Sequence, residues 1–172
     1  MAARAGAGTD GALTPNSVVA GMAFDHVGLS VPNLDVAVDF FVEIFGARLQ
    51  FRMDRSAGDA PMGAQRLALA PHVTFSLAML ALGGSRIELL QWWPVRSNAW
   101  PPEADLPGGA HVAIEVVDVA ATVATLRDID GIDIVGEPIT FESGATPGLT
   151  NAFVRTPWGA LIELVTWHGT GH

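Results

Sequence analysis

The sequence predicts an α+β fold built from two βαβββ modules. Three observations carry this reading. The order strand, helix, strand, strand, strand runs twice along the chain. Two pairs of short segments match between the runs, "DHVGLSV" with "AHVAIEV" and "RIELLQW" with "LIELVTW". A Pro- and Gly-rich stretch separates them. The expected organisation is a disordered tail over 1–21, a first module over 22–92, a linker over 93–109, a second module over 110–168 and a short tail over 169–172.

Each element has a local reason. Phe24–Val31 alternates, with Val27, Leu29 and Val31 on one face and His26, Gly28 and Ser30 on the other, which is the period of a half-buried strand. "PNLDVAVDFFVEIFG" then reads as a helix. Asn33 or Asp35 can cap it, Val38, Phe41, Val42 and Phe45 fall at helical spacing, and Gly46 terminates it. "ARLQFRM" is a second strand. A long connection over 54–72 follows, with a short helix expected around Gly63–Leu69. "VTFSLAMLAL" and "RIELLQW" are strands joined by a "GGS" hairpin turn. The order then restarts. "AHVAIEVV" is a strand, and "DVAATVATLRDIDG" is a helix capped by Asp118 and closed at Gly131. "IDIVGEPITF", "TNAFVRT" and "ALIELVTW" supply the last three strands.

Composition excludes several functions. The chain has 172 residues and a net charge of −9; its nine basic residues are all Arg. Such a chain offers no basic stripe for nucleic acid, and none for an anionic membrane surface. It contains no Cys, so thiolate metal sites, disulfides and cysteine nucleophiles are ruled out. Residues 1–21 lack the apolar core of a signal peptide and no run is long enough to span a bilayer, so a cytoplasmic location is expected.

The repeat singles out four residues. Each module offers one His near the start of its first strand and one Glu in its last: His26 and Glu88, then His111 and Glu163. In each of these strands the opposite face is the more uniformly apolar and can pack on the module's helix, which leaves the His/Glu face for a cavity. Two such sheets facing each other could bring two imidazoles and two carboxylates together, a set that suits one divalent Zn, Ni, Co, Mn or Fe ion and leaves room for water or substrate oxygens. A lone His or Glu would be an ordinary structural residue; two matched pairs at equivalent repeat positions are harder to dismiss. Glu115 shares the His111 face and is the rival carboxylate, as a pocket acid or outer neighbour of the site. His72, His168 and His172 have no repeat partner and are expected not to be ligands.

At these residues the chain resembles the vicinal-oxygen-chelate superfamily: glyoxalase I, methylmalonyl-CoA epimerase, extradiol dioxygenases, fosfomycin-resistance enzymes and bleomycin-resistance-type binding proteins. "DHVGLSVPNLDVAVDFFVEIFG" looks very like that family's opening strand and helix, and "GSRIELLQW" and "TPWGALIELVTW" look like its closing strands. The resemblance spans about residues 23–168 and implies paired βαβββ modules forming a cupped mixed β-sheet around one metal. The set His26, Glu88, His111 and Glu163 is similar to that of glyoxalase I and close to that of the epimerases.

The resemblance implies a metal-dependent isomerase, epimerase or lyase of a small molecule, moving a proton next to a metal-bound carbonyl through an enediolate or enolate. By position, Glu163 would be the base and Glu88 could take or give a proton on the opposite face. His26 and His111 would be fixed ligands. Two alternatives stay open. One is a non-haem iron dioxygenase using His26, His111 and Glu163, for which Glu88 would be surplus. The other is a sequestering protein for an aromatic natural product. Substrate contacts are expected from Arg86, Glu115, Trp92, Trp158 and Arg155, by bidentate pairing of Arg or stacking of Trp, with structural ion pairs and a module-junction role for the Trp side chains as the plain alternatives. A homodimer is expected.

Overall fold

The computed structural model describes residues 23–55, 67–70, 72–95 and 103–169. It contains two four-stranded mixed sheets, each with one helix, in the expected βαβββ order. The first module comprises β1 (Val27–Ser30), α1 (Leu34–Phe45), β2 (Arg48–Met53), β3 (Thr74–Leu82) and β4 (Ser85–Trp93). The second comprises β5 (His111–Glu115), α2 (Val119–Leu126), β6 (Asp133–Thr140), β7 (Leu149–Arg155) and β8 (Leu161–Trp167). Both sheets repeat one topology, β1-β4-β3-β2 and β5-β8-β7-β6. The first strand of each module lies at a sheet edge and pairs in parallel with the last; the other pairings are antiparallel. Most of the short helix expected around Gly63–Leu69 lies outside the described residues.

The opening helix starts and stops for local reasons. Asn33 is extended, and its side chain accepts from the Val36 N–H at 3.2 Å. The Leu34 N–H, another donor left free by helix geometry, is taken by Gln91 Oε1 at 2.9 Å, which ties the helix start to β4. At the other end Gly46 adopts φ 67°, and the amides of Gly46 and Ala47 turn back to the carbonyls of Val42 and Phe41. Asn33→Ala is expected to lower unfolding free energy by about 1 kcal/mol in a urea titration, the usual cost of a lost N-cap. Arg52 of β2 reaches Asp35 in the first turn of α1 at 2.5 Å and Asp54 at 2.9 Å, and these two hydrogen bonds raise its pKa further.

The core lies between each sheet and its helix. Leu34, Ala37, Val38, Phe40 and Phe41 of α1 are buried, with Ala78, Leu80, Ile87 and Leu89 of the sheet beneath. The helical spacing had included Val42 in this face; it is exposed, and Phe40 takes the buried place. In the second module Val119, Val123 and Leu126 bury against Ile114, Ala152, Val154, Ile162 and Leu164. Burial of each such large side chain contributes about 1.5–3 kcal/mol.

Helix α2 stops at Leu126, more than a turn short of the Gly131 expected from sequence. Asp128 and Asp130 would sit at the negative end of the helix dipole, and Asp is a weak helix former. The chain instead tightens into turns, with Ile129 N–H bonded to Leu126 and Ile132 N–H to Ile129. Strand β6 also departs from regularity. Its register against β7 shifts between Val135 and Ile139, where Gly136 has φ 83° and Pro138 can give no ladder hydrogen bond.

Between the described residues of the two sheets there is no strand pairing. The modules meet through side chains. Trp158, in the β7–β8 turn, packs its ring on Phe40 and Phe41 of α1 at centroid distances of 5.1 and 6.3 Å. A cavity of about 1300 Å³ lies between them, bordered by the end of α1, the β3–β4 hairpin, β5 and α2. Among the described residues, no helix is long and apolar enough to cross a membrane.

Candidate metal centre

Register places the first His/Glu pair. Strand β1 runs parallel to β4 with Gly28 opposite Glu88, so His26, two residues earlier, shares the Glu88 face. His26 Nε2 lies 3.6 Å from Glu88 Oε2. The second module repeats this. Ala113 stands opposite Glu163, and His111, two residues earlier, places Nε2 3.3 Å from Glu163 Oε2. Gly28 and Ala113 are equivalent small residues beside the carboxylates; a Cβ on Gly28 would stand 3.5 Å from Glu88 Oε2, an ordinary contact.

The surroundings of the two pairs differ. Glu163, 15% exposed, accepts a 2.6 Å hydrogen bond from Asn151 Nδ2, while the His111 ring meets Phe153 edge-on at 5.6 Å. In the first pair it is the imidazole that is held: His26 Nδ1 lies 2.5 Å from Asp25 Oδ1, and Asp25 also pairs with Arg86. The Asp25 carboxyl is held below its ordinary pKa chiefly by the hydrogen bond to His26; desolvation opposes this, and the Arg86 and His26 charges add to the lowering.

The donors suit a divalent cation. Two ligands at about 2.1 Å from one ion, 90–110° apart, are separated by about 3.0–3.4 Å. The separations in the two pairs, 3.3 and 3.6 Å, are close to this. Imidazole nitrogen with carboxylate oxygen is a borderline set that takes Zn, Ni, Co, Mn or Fe. Each module thus brings one imidazole and one carboxylate together. The chain brings His26 to Glu88 and His111 to Glu163, but among its described residues no three such groups gather in one place.

The remaining candidates fall as follows. Arg86 is engaged by Asp25. Arg155, half-buried on the Glu163 face, donates to the Gly159 carbonyl at 3.4 Å. Trp92 shares the Glu88 face, donates to Ser30 Oγ at 2.9 Å and stacks near Phe75. Trp158 packs at the module junction described above. Glu115 is exposed on the edge strand β5, opposite Val165, and borders the intermodule cavity; the lining of that cavity includes His111 but neither Glu88 nor Glu163. His72 and His168 are exposed, and His172 lies outside the described residues. Sequence reasoning missed Asp25 and Asn151. Asp25 had a signal, a carboxylate directly beside a candidate ligand; Asn151 had none without the register of β7.

The floor around each carboxylate follows from the cross-strand rows. Glu88 is flanked by Gly28 and Met79, with Phe51 beyond; Glu163 is flanked by Ala113 and Phe153, with Val135 beyond. Apolar side chains therefore surround two acidic groups, an arrangement suited to holding a small substrate over a polar centre.

The fold belongs to a known class. Residues 23–164 match the model of the Glyoxalase/Bleomycin resistance protein/Dioxygenase superfamily, and the chain belongs to that superfamily. Among its relatives is a 2-epi-5-epi-valiolone epimerase from an Actinomyces species, 34% identical over 155 residues that cover 89% of this chain and 84% of the relative. A probable lactoylglutathione lyase from Vibrio cholerae is 29% identical over 150 residues, covering 81% and 87%. Among solved structures, a glyoxalase family protein from Bacillus cereus superposes with a TM-score of 0.70 at 25% identity, covering 91% of this chain and 99% of that one. The relatives support an enzyme of isomerase or lyase type.

Proposed function

We propose that this protein is a divalent-metal-dependent epimerase that moves a proton on the carbon next to a ketone, with a small cyclic polyhydroxy ketone as substrate class. The observation that carries the reading is the pair of His/Glu half-sites at the same register position of both modules. The relative named as a 2-epi-5-epi-valiolone epimerase supports the substrate class.

In this reading His26, Glu88, His111 and Glu163 hold the cation. When bound, it supplies Lewis-acid stabilisation of the negative charge that develops on a carbonyl oxygen as the neighbouring C–H is lost. The chain's own groups do the rest. The two carboxylates, one from each module, move the proton from opposite sides of the substrate, as inversion at carbon requires. The two imidazoles stay as fixed ligands. The apolar rows around Met79 and Phe153 exclude water, and this strengthens each charge interaction inside.

The four ligands come together between two copies of the chain in this proposal, the first module of one against the second module of the other. The support is that each described chain holds two separate halves, and that β1 and β5 each leave one edge unpaired.

The test is to reload the chelator-treated protein with single divalent ions in D₂O and to follow 2-epi-5-epi-valiolone by proton NMR. Metal-dependent deuterium uptake beside the carbonyl, with conversion to an epimer, is expected. No exchange with any ion overturns the reading; turnover of the methylglyoxal–glutathione adduct instead would move it to lactoylglutathione lyase.

A further inference from the structure

The two half-sites are buttressed by opposite rules. Superposing their registers shows this. Asp25 precedes His26, and its counterpart before His111 is Ala110. Arg86 stands two residues before Glu88, and its counterpart before Glu163 is Leu161. Neither member of the Arg86–Asp25 pair therefore has an equivalent in the second module. Conversely, Asn151 stands opposite Val165, two residues beyond Glu163, and the equivalent position opposite Leu90 is Leu77, which has no amide to give Glu88. The first module fixes its imidazole; the second fixes its carboxylate.

We infer that Asp25, anchored by Arg86, is the positioning residue that sets the tautomer and ring orientation of His26. Asp25 Oδ1 stands 2.5 Å from His26 Nδ1, placed to accept from an Nδ1–H, while its other oxygen pairs with the Arg86 guanidinium, whose Nε also reaches the Asp25 carbonyl at 3.4 Å. With the proton on Nδ1, Nε2 turns a bare lone pair toward Glu88 Oε2 at 3.6 Å, beyond hydrogen-bond range. Two acceptors converging at that distance leave a place for a cation and none for each other. A carboxylate on the far nitrogen of a ligating imidazole does this work in metal sites generally. Asp25 and Arg86 are exposed, 61% and 41% at the side chain, and an ion pair so placed contributes little to folding. Its consequence lies in the orientation of the ring.

The proposal rests partly on the metal reading above, and its test separates the two. Long-range ¹⁵N–¹H correlation of the histidine rings in the metal-free, full-length protein, followed over a pH series, reads ring protonation and tautomer directly. In the native protein His26 is expected to carry its proton on Nδ1. Asp25→Ala is expected to move it largely to Nε2, whereas Asp25→Asn, whose amide oxygen still accepts, keeps it on Nδ1. Cobalt titration is expected to show affinity falling about 10- to 100-fold in Asp25→Ala and less in Asp25→Asn, with the melting temperature close to native in both. An Nε2-protonated His26 in the native protein, an unchanged tautomer in Asp25→Ala, or an Asn variant as impaired as the Ala variant would each overturn the inference. Expected tautomers in a native protein that takes up no divalent ion would sustain it and defeat the metal reading instead.

Discussion

Glu163→Gln is expected to lower epimerase turnover by about 10²- to 10⁴-fold, the contribution of one positioned acid–base group. The amide keeps the side chain's size and can still meet Asn151, but it cannot carry a proton away from carbon. Glu88→Gln is expected to act as strongly and on the other hand of the reaction. If the carboxylates address opposite faces of one carbon, each variant still exchanges solvent deuterium into one epimer and fails with the other. Measuring exchange separately from each pure epimer reads this. Equal residual exchange with both epimers in both variants would remove the two-sided assignment and leave the carboxylates as ligands only.

Mixing two inactive variants is expected to restore activity. A chain carrying His26→Ala together with Glu88→Gln has no working first half-site; one carrying His111→Ala together with Glu163→Gln has no working second. If each centre joins the first module of one copy to the second of another, a mixed dimer contains one centre built only from native halves. Random reassortment then yields about a quarter of native activity, because half the dimers are mixed and half their centres are intact. A centre built within one chain stays broken in every combination. Unfolding and refolding the two variants together, followed by the deuterium-exchange assay, distinguishes the cases; silence of the mixture, with dimers formed, would place the site inside a single chain.

Much of the fold was legible because it rests on periodicity that the chain states twice. His26 and His111 stand out only because the strand alternation around them is regular, and Glu88 and Glu163 because "IEL" recurs in an equivalent strand. What repeats can be read without coordinates. What differs between the halves cannot: Asp25 answers to Ala110 and Asn151 to Leu77, so the groups bonded to His26 and Glu163 carry no internal echo. The early end of α2 was hidden for another reason. The sequence offers Gly131 as a natural stop, and only the carbonyls actually chosen by Ile129 and Ile132 reveal that turns replace the last helical turn. Trp158 illustrates a third limit, since an aromatic residue beside a candidate site reads alike whether it meets a ligand or, as here, Phe40 and Phe41.

That Trp158 contact bears on how the chain is put together. All the described backbone pairing is internal to one module or the other, and Trp158 is one bulky side chain that bridges them. The covalent connection then matters chiefly by proximity. It confines the partner half to a small volume and raises its effective concentration. If the centre forms between copies, as proposed, assembly is a competition between a half tethered to its neighbour and an identical half on another molecule. The balance is set by protein concentration and by the span of the tether, quantities that leave the ligand residues themselves untouched.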